Sequence, residues 1–101
     1  MNIRRSFWYS TGIMHKSLSH LSQELQEAAG KVAVGSRYIH YKNPTQYYRV
    51  IALGTLEASE ETCVIYKAEY GDNLIFVRPL SSWLQQVEIE GTPINRFTKV
   101  D

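Results

Sequence analysis

Cys63-Val64-Ile65-Tyr66-Lys67-Ala68-Glu69-Tyr70-Gly71-Asp72-Asn73-Leu74-Ile75-Phe76-Val77-Arg78-Pro79-Leu80 reads as a β-hairpin, two β-rich runs joined by Gly-Asp-Asn and closed by Arg-Pro. Val, Ile, Tyr and Phe suit a pleated, half-buried surface, while Gly, Asp and Asn accept the positive φ of a tight connection. A two-residue Gly71-Asp72 loop sets Ala68 opposite Ile75 and Tyr66 opposite Val77. It gathers Val64, Tyr66, Ala68, Ile75 and Val77 on one face and leaves Lys67, Glu69 and Arg78 on the other. A slip of one residue would exchange the faces of one strand, so the separation of apolar from charged side chains favours this register.

Outward from the hairpin the chain stays β-like. Arg37 to Lys42 and Gln46 to Leu53 read as two strands, broken by Asn43-Pro44-Thr45 and expected to pair antiparallel. Residues 54–62 are polar and acidic and read as a loop of some length or an irregular hairpin tip. Downstream, Pro79 ends a strand. Residues 81–86 then predict one helical turn, with Ser81 or Ser82 as cap and Trp83, Leu84 and Val87 free to plug the end of a barrel. Val87 to Glu90, a Gly91-Thr92-Pro93 turn and Ile94 to Val100 supply short closing β segments. Five or six short strands with tight turns and no crossover helix predict a mainly β fold, an antiparallel barrel or roll.

Ahead of the strands, Leu18, Leu21, Leu25 and Ala28 recur at helical spacing. They predict an amphipathic helix over residues 17–30, with Ser17 as N-cap, Gly30 at C′ and a Glu27 to Lys31 pair across its end. Three turns are marginal alone in water, so the helix must pack, either on its own sheet or on a second copy or another protein. Residues 1–16 carry Phe7, Trp8 and Tyr9 without a helical or strand period and predict a flexible start, with Met14 a second candidate for initiation. Arg4-Arg5-Ser6-Phe7 has the look of a twin-arginine signal, but Ser10, Thr11, Gly12 and His15 interrupt the apolar stretch it requires.

Composition bounds the class more than the function. The chain has 101 residues, 44% hydrophobic and 21% charged, with seven tyrosines and a net charge of +1. That is one domain with one core, burying roughly 60–65% of the surface its unfolded chain exposes. Apolar runs such as Leu74 to Val77 fall well short of the ~18 residues of a membrane helix, so no membrane role is expected. Cys63 is the single cysteine; it excludes an internal disulfide, fits a reducing cytoplasm and reads as a buried, inert thiol. The charge is uneven: Lys31, Arg37, Lys42 and Arg49 stand in a stretch from Ala28 to Leu56 without an acid, and Glu57, Glu60, Glu61, Glu69 and Asp72 then face only Lys67.

Tyr38-Ile39-His40-Tyr41-Lys42, Tyr48-Arg49-Val50, Val64-Ile65-Tyr66, Tyr70-Gly71-Asp72, Phe76-Val77-Arg78-Pro79-Leu80, Val87 and Arg96-Phe97 resemble the bacterial family known as domain of unknown function 1653. The resemblance covers residues 34–98, and its most specific part is Tyr-Gly-Asp followed at fixed distance by Val-Arg-Pro-Leu. It implies a small SH3-like β-barrel domain over residues 34–100 and supplies no reaction. Relatives commonly carry Trp where Phe76 stands, Phe where Trp83 stands, and His-Ser-Glu where Leu56-Glu57-Ala58 runs. The helix at 17–30 lies outside the resembling region.

The foremost site candidates are Tyr38, His40, Tyr41, Lys42, Tyr47, Tyr48 and Arg49, cations and aromatics interleaved in the acid-free third. Lysine and arginine neutralise phosphate while rings stack on bases, as in small barrels that bind single strands. The ordinary alternative is that half of these tyrosines build the core. Arg78 is the second candidate, a clamp for a carboxylate or phosphate with Tyr66, Asp72 and Arg96 near it, or else half of a structural ion pair. His40 has the titration range of a general base but no nucleophile or carboxylate beside it in sequence. His15, His20, His40 and Cys63 lack zinc-ligand spacing, and the six glycines are too scattered to cradle phosphate, so neither metal nor cofactor is expected. The sequence thus predicts a binding module for nucleic acid or a nucleotide-like anion. A protein partner docked through the 17–30 helix comes second, and a small enzyme acting through His40 and Arg78 third.

Overall fold

The computed structural model describes residues 15–101. The expectations for a flexible leader and for initiation at Met14 fall on residues 1–14, outside the described ones. The first element, α1, spans Leu18–Ala29. Ser17 caps it as expected, its Oγ accepting from the backbone N–H of His20 at 3.1 Å. Gly30 differs from expectation: it is the C-cap itself with a right-handed φ of −78°, not a left-handed C′ residue. The helix packs on its own sheet, against the second and third strands, with Ala28 buried and Leu18 left 85% exposed.

Seven strands follow: β1 Arg37–His40, β2 Asn43–Leu56, β3 Glu61–Ala68, β4 Ile75–Pro79, β5 Gln86–Ile89, β6 Thr92–Asn95 and β7 Phe97–Lys99, with a one-turn helix α2 at Leu80–Trp83. The fold is mainly β with one N-terminal and one short helix, as the sequence predicts. Five strands form an antiparallel sheet in the order β4-β3-β2-β1-β7, and β5 and β6 pair as a separate hairpin. The sheet is not closed into a barrel, for β4 and β7 are its two edges and do not pair with each other. One face carries the core of Val32, Tyr38, Tyr48, Val50, Val64, Tyr66, Ala68, Trp83 and Phe97.

The decisive hairpin forms, but in another register. Tyr66 lies opposite Phe76, Lys67 opposite Ile75 and Val64 opposite Arg78. The connection runs from Glu69 to Leu74, with positive φ at Gly71 (58°) and Asn73 (55°), and Ala68 N–H donating to the Leu74 carbonyl at 2.9 Å. A longer turn moves the pairing by one residue and rotates the faces of β4. Ile75 and Val77, expected inside, are 60% and 61% exposed, whereas Phe76 and Arg78 turn to the core face.

Further boundaries differ from the sequence reading: β1 ends at His40, the chain turns at Tyr41-Lys42, and β2 runs through the expected break at Asn43-Pro44-Thr45. β2 continues to Leu56 and pairs with β3 up to Glu61, so of the two expectations for residues 54–62 the hairpin tip is the one found, as a turn over residues 57–60 with Glu60 at φ 63°. Val50 lies opposite Tyr66 and Ala52 opposite Ile65, so Ile51 is the surplus residue of a β-bulge. That one residue keeps Tyr48 and Val50 on the core face before it and Leu53 against the core after it. α2 starts one residue earlier than expected, which puts Pro79 at the N-cap with no side-chain acceptor to offer and leaves Ser81 and Ser82 inside the helix, where Ser82 Oγ accepts from Arg78 Nη1 at 2.9 Å. Trp83 is buried as foreseen and stacks on Phe97 at 3.8 Å with an interplanar angle of 3°.

Candidate functional site

The shifted register of β4 builds the site. On its core face Arg78 reaches across to β3, where Nε donates to the Tyr66 hydroxyl at 3.3 Å while Nη1 is held by Ser82. The guanidinium carbon sits 5.3 Å from the centre of the Phe97 ring, and Nη2 makes no hydrogen bond among the described residues. No carboxylate pairs with Arg78 among the described residues, so the structural ion pair that sequence left open is absent. A cleft of about 230 Å³ opens here, lined by His40, Lys42, Asn43, Tyr48, Tyr66, Phe76, Arg78 and Phe97.

The walls are aromatic. Tyr66 contacts Tyr48, Phe76 and Phe97 with centroid separations of 5.6 Å each, and His40 meets Phe97 edge-on at 4.9 Å. Tyr48, Tyr66 and Phe97 are buried, so Phe76, 38% exposed, is the most exposed of the four wall rings. The Tyr48 and Tyr70 hydroxyls lie 2.6 Å apart, and burial together with that bond pushes the Tyr48 phenol up to about 12, well beyond physiological ionisation. Burial, then the positive charges of Arg78, Arg96 and Lys42, holds the His40 imidazole below its ordinary 6.5. His40 Nδ1 accepts from the Lys42 backbone N–H at 3.2 Å, so the neutral ring carries its proton on Nε2.

Of the residues singled out from sequence, His40, Lys42, Tyr48, Tyr66 and Arg78 converge on this cleft. Tyr38 is core, its hydroxyl accepting from Ala33 N–H at 2.9 Å. Tyr41 flanks His40 at 4.7 Å between ring centres without lining the cleft. Arg49 and Tyr47 alternate to the opposite face of the sheet. There Arg49 Nε and Arg37 Nε hold the two oxygens of Glu69 at 2.8 and 2.7 Å, and the Arg37 guanidinium covers the Tyr47 ring at 4.7 Å. Asp72 stands exposed in the β3–β4 turn, away from the cleft lining. Arg96 donates from Nη2 to Gln85 Oε1 at 3.1 Å, acts on His40 through its charge, and keeps a buried Nε with no partner among the described residues.

Sequence reasoning did not assign Asn43, Phe76 and Phe97 to the site. The sequence places Asn43 in a strand break, whereas it opens β2 opposite His40, and Phe76 changes sides with the register. The signal that finds Phe97 is its place directly after Arg96 in the resembling segment, which brings it opposite His40 on β7. Among the described residues no group of three or more His, Cys, Asp or Glu side chains is arranged to hold a metal, and no helix is long and apolar enough to cross a membrane. Cys63 is buried, and its burial raises the thiol.

The model of the family described as protein of unknown function (DUF1653) matches residues 36–99, every strand that shapes the cleft included. The chain belongs to the DUF1653 family. A crystal structure of a DUF1653 protein from Bordetella bronchiseptica is similar to it, with a TM-score of 0.59 and 25% sequence identity over 69% of this chain and 90% of that one. No functionally curated protein matches the chain. Helix α1 precedes the DUF1653 match, whereas the cleft lies wholly within it.

Proposed function

We propose that this protein is a binding module whose cleft captures a small anion carrying a flat group, of nucleotide-like chemistry. The observation that supports it most is the convergence of Arg78, Lys42 and His40 with four aromatic rings in a cleft without a carboxylate among its lining residues. Unpaired cations in a partly desolvated hollow create a field that an anion relieves, and arginine offers a planar fork suited to phosphate. Phe76 supplies the most exposed ring, against which a base lies. The volume of about 230 Å³ is below the usual range of drug-sized pockets, roughly 300–1,000 Å³, and suits one small planar unit.

Two other readings fare less well. A general base needs a free lone pair, yet His40 Nδ1 already accepts from the backbone and Nε2 carries the proton. The apolar stripe of α1 turns toward this chain's own sheet, with Ala28 buried and Leu21 and Leu25 half-buried, which leaves Leu18 as its outward leucine. The test is calorimetric titration of thymidine 5′-monophosphate, thymidine and inorganic phosphate. The monophosphate should bind more tightly than either part, weaken as salt rises, and lose at least tenfold in affinity in Arg78→Met; equal affinities for thymidine and its monophosphate would remove the reading.

A further inference from the structure

We propose that the Arg78 cleft is one of two adjoining subsites, and that a second cleft beside it takes the neighbouring unit of a single-stranded oligonucleotide. The proposal rests on the nucleotide-like reading of the first cleft. The second, of about 280 Å³, is lined by Lys31, Tyr38, Trp83, Asn95, Phe97 and Lys99, with Leu84 and Thr98 completing its wall. It repeats the charge of the first, with two cationic side chains and no carboxylate in the lining, while its rings, Tyr38, Trp83 and Phe97, are buried and form its floor.

The two hollows share Phe97. A continuous line of rings runs between them, from Tyr38 to Trp83 at 5.2 Å, Trp83 to Phe97 at 3.8 Å and Phe97 to His40 at 4.9 Å. Their spacing follows from β geometry. Tyr38 in the second cleft and His40 in the first are two residues apart on one face of β1, hence ~7 Å. Lys99 and Phe97 lie opposite them on β7. That step is of the order of the repeat along an extended single strand, so a phosphate at Arg78 and Lys42 brings the next phosphate toward Lys31 and Lys99. Lys99 Nζ at present contacts the Asp101 carbonyl and stands 3.9 Å from its carboxylate, an exposed contact that a phosphate can replace.

Thymidine 5′-monophosphate and the 5′-phosphorylated thymidine dinucleotide are titrated into the full chain, the Lys31→Ala/Lys99→Ala variant and the Lys31→Arg/Lys99→Arg variant. The dinucleotide is expected to bind at least tenfold more tightly than the monophosphate. The alanine pair should abolish that gain without changing monophosphate affinity, and the arginine pair should restore it. Thermal melts followed by circular dichroism show that both variants fold. Equal affinity for the two probes in the unaltered protein, or a dinucleotide affinity untouched by the alanine pair, overturns the second subsite and leaves the first standing. Absence of binding by both probes overturns the two readings together.

Discussion

On the proposed anion-binding reading, His40 couples the cleft to pH. In the free protein burial and the cations of Arg78, Arg96 and Lys42 favour the neutral imidazole, so its proton is lost already below 6.5. A bound phosphate favours the charged form, which raises the pKa on binding. By linkage, affinity gains from His40 as pH falls from the bound-state pKa to the lower free-state one, and the gain is complete below both. Comparing titrations at pH 7.5 and 5.5 between the native protein and His40→Gln isolates this contribution from the phosphate's own protonation: the ratio of native to variant affinity should be larger at pH 5.5. The same depression has a folding sign. Stability contributed by neutral His40 is present above 6.5 and declines as pH falls toward the folded-state value, and His40→Gln should flatten denaturant midpoints across that interval. At Tyr48 the expectation is a cost of about 1 kcal/mol for Tyr48→Phe, since its hydroxyl bonds to Tyr70 and leaves that partner with access to water; urea unfolding checks it.

At the level of the element, β4 is where the sequence was legible in kind but not in phase. Residue types identified both strands and the turn between them, because β-propensity and turn chemistry are local properties. The number of residues in the turn is not local: it goes with the Tyr70–Tyr48 contact and with left-handed backbone at both Gly71 and Asn73, and residue types that accept positive φ allow a two-residue turn as readily as this longer one. An apolar-inside rule selects Ile75 and Val77 over Phe76 and Arg78, whereas this edge strand turns its two aliphatic side chains outward and completes its inner face with an arginine. The cleft was legible where residues share one strand face, as with Tyr66 and the run around His40, and illegible where it depends on that phase. Mutation separates the registers directly. Ile75→Thr and Val77→Thr should each change stability by no more than about 0.5 kcal/mol, while Val64→Ala, at a fully buried site, should cost about 2 kcal/mol. Large losses at Ile75 and Val77 in chemical denaturation would restore the two-residue turn.

Across the whole molecule the two faces of the sheet divide the work: one carries the core and the clefts, the other ties strands together by charge. Glu69, just beyond β3, bridges Arg37 of β1 and Arg49 of β2, and those hydrogen bonds hold its carboxyl below the usual carboxylate value. The stability this contributes is present above the unfolded-state pKa and is lost as pH falls through the folded-state one. Glu69→Gln should therefore unfold at lower urea than the native protein at pH 7, with the difference shrinking below about pH 4, as measured by equilibrium denaturation at both pH values. The basic third of the chain was legible as a charge run; its partition between Lys42 in the cleft lining and Arg49 bonded to Glu69 on the opposite face follows only from the turn before β2 and the alternation along it. The bulge at Ile51 sets a further limit on that strand. β2 is written in two hydrophobic phases, odd and even, and the supernumerary residue is the punctuation between them. Deleting Ile51 would leave composition almost unchanged and join the two phases into one unbroken alternation, with Tyr48, Val50 and Leu53 still on the core face, so that the strand would lose only the local kink that the surplus residue makes.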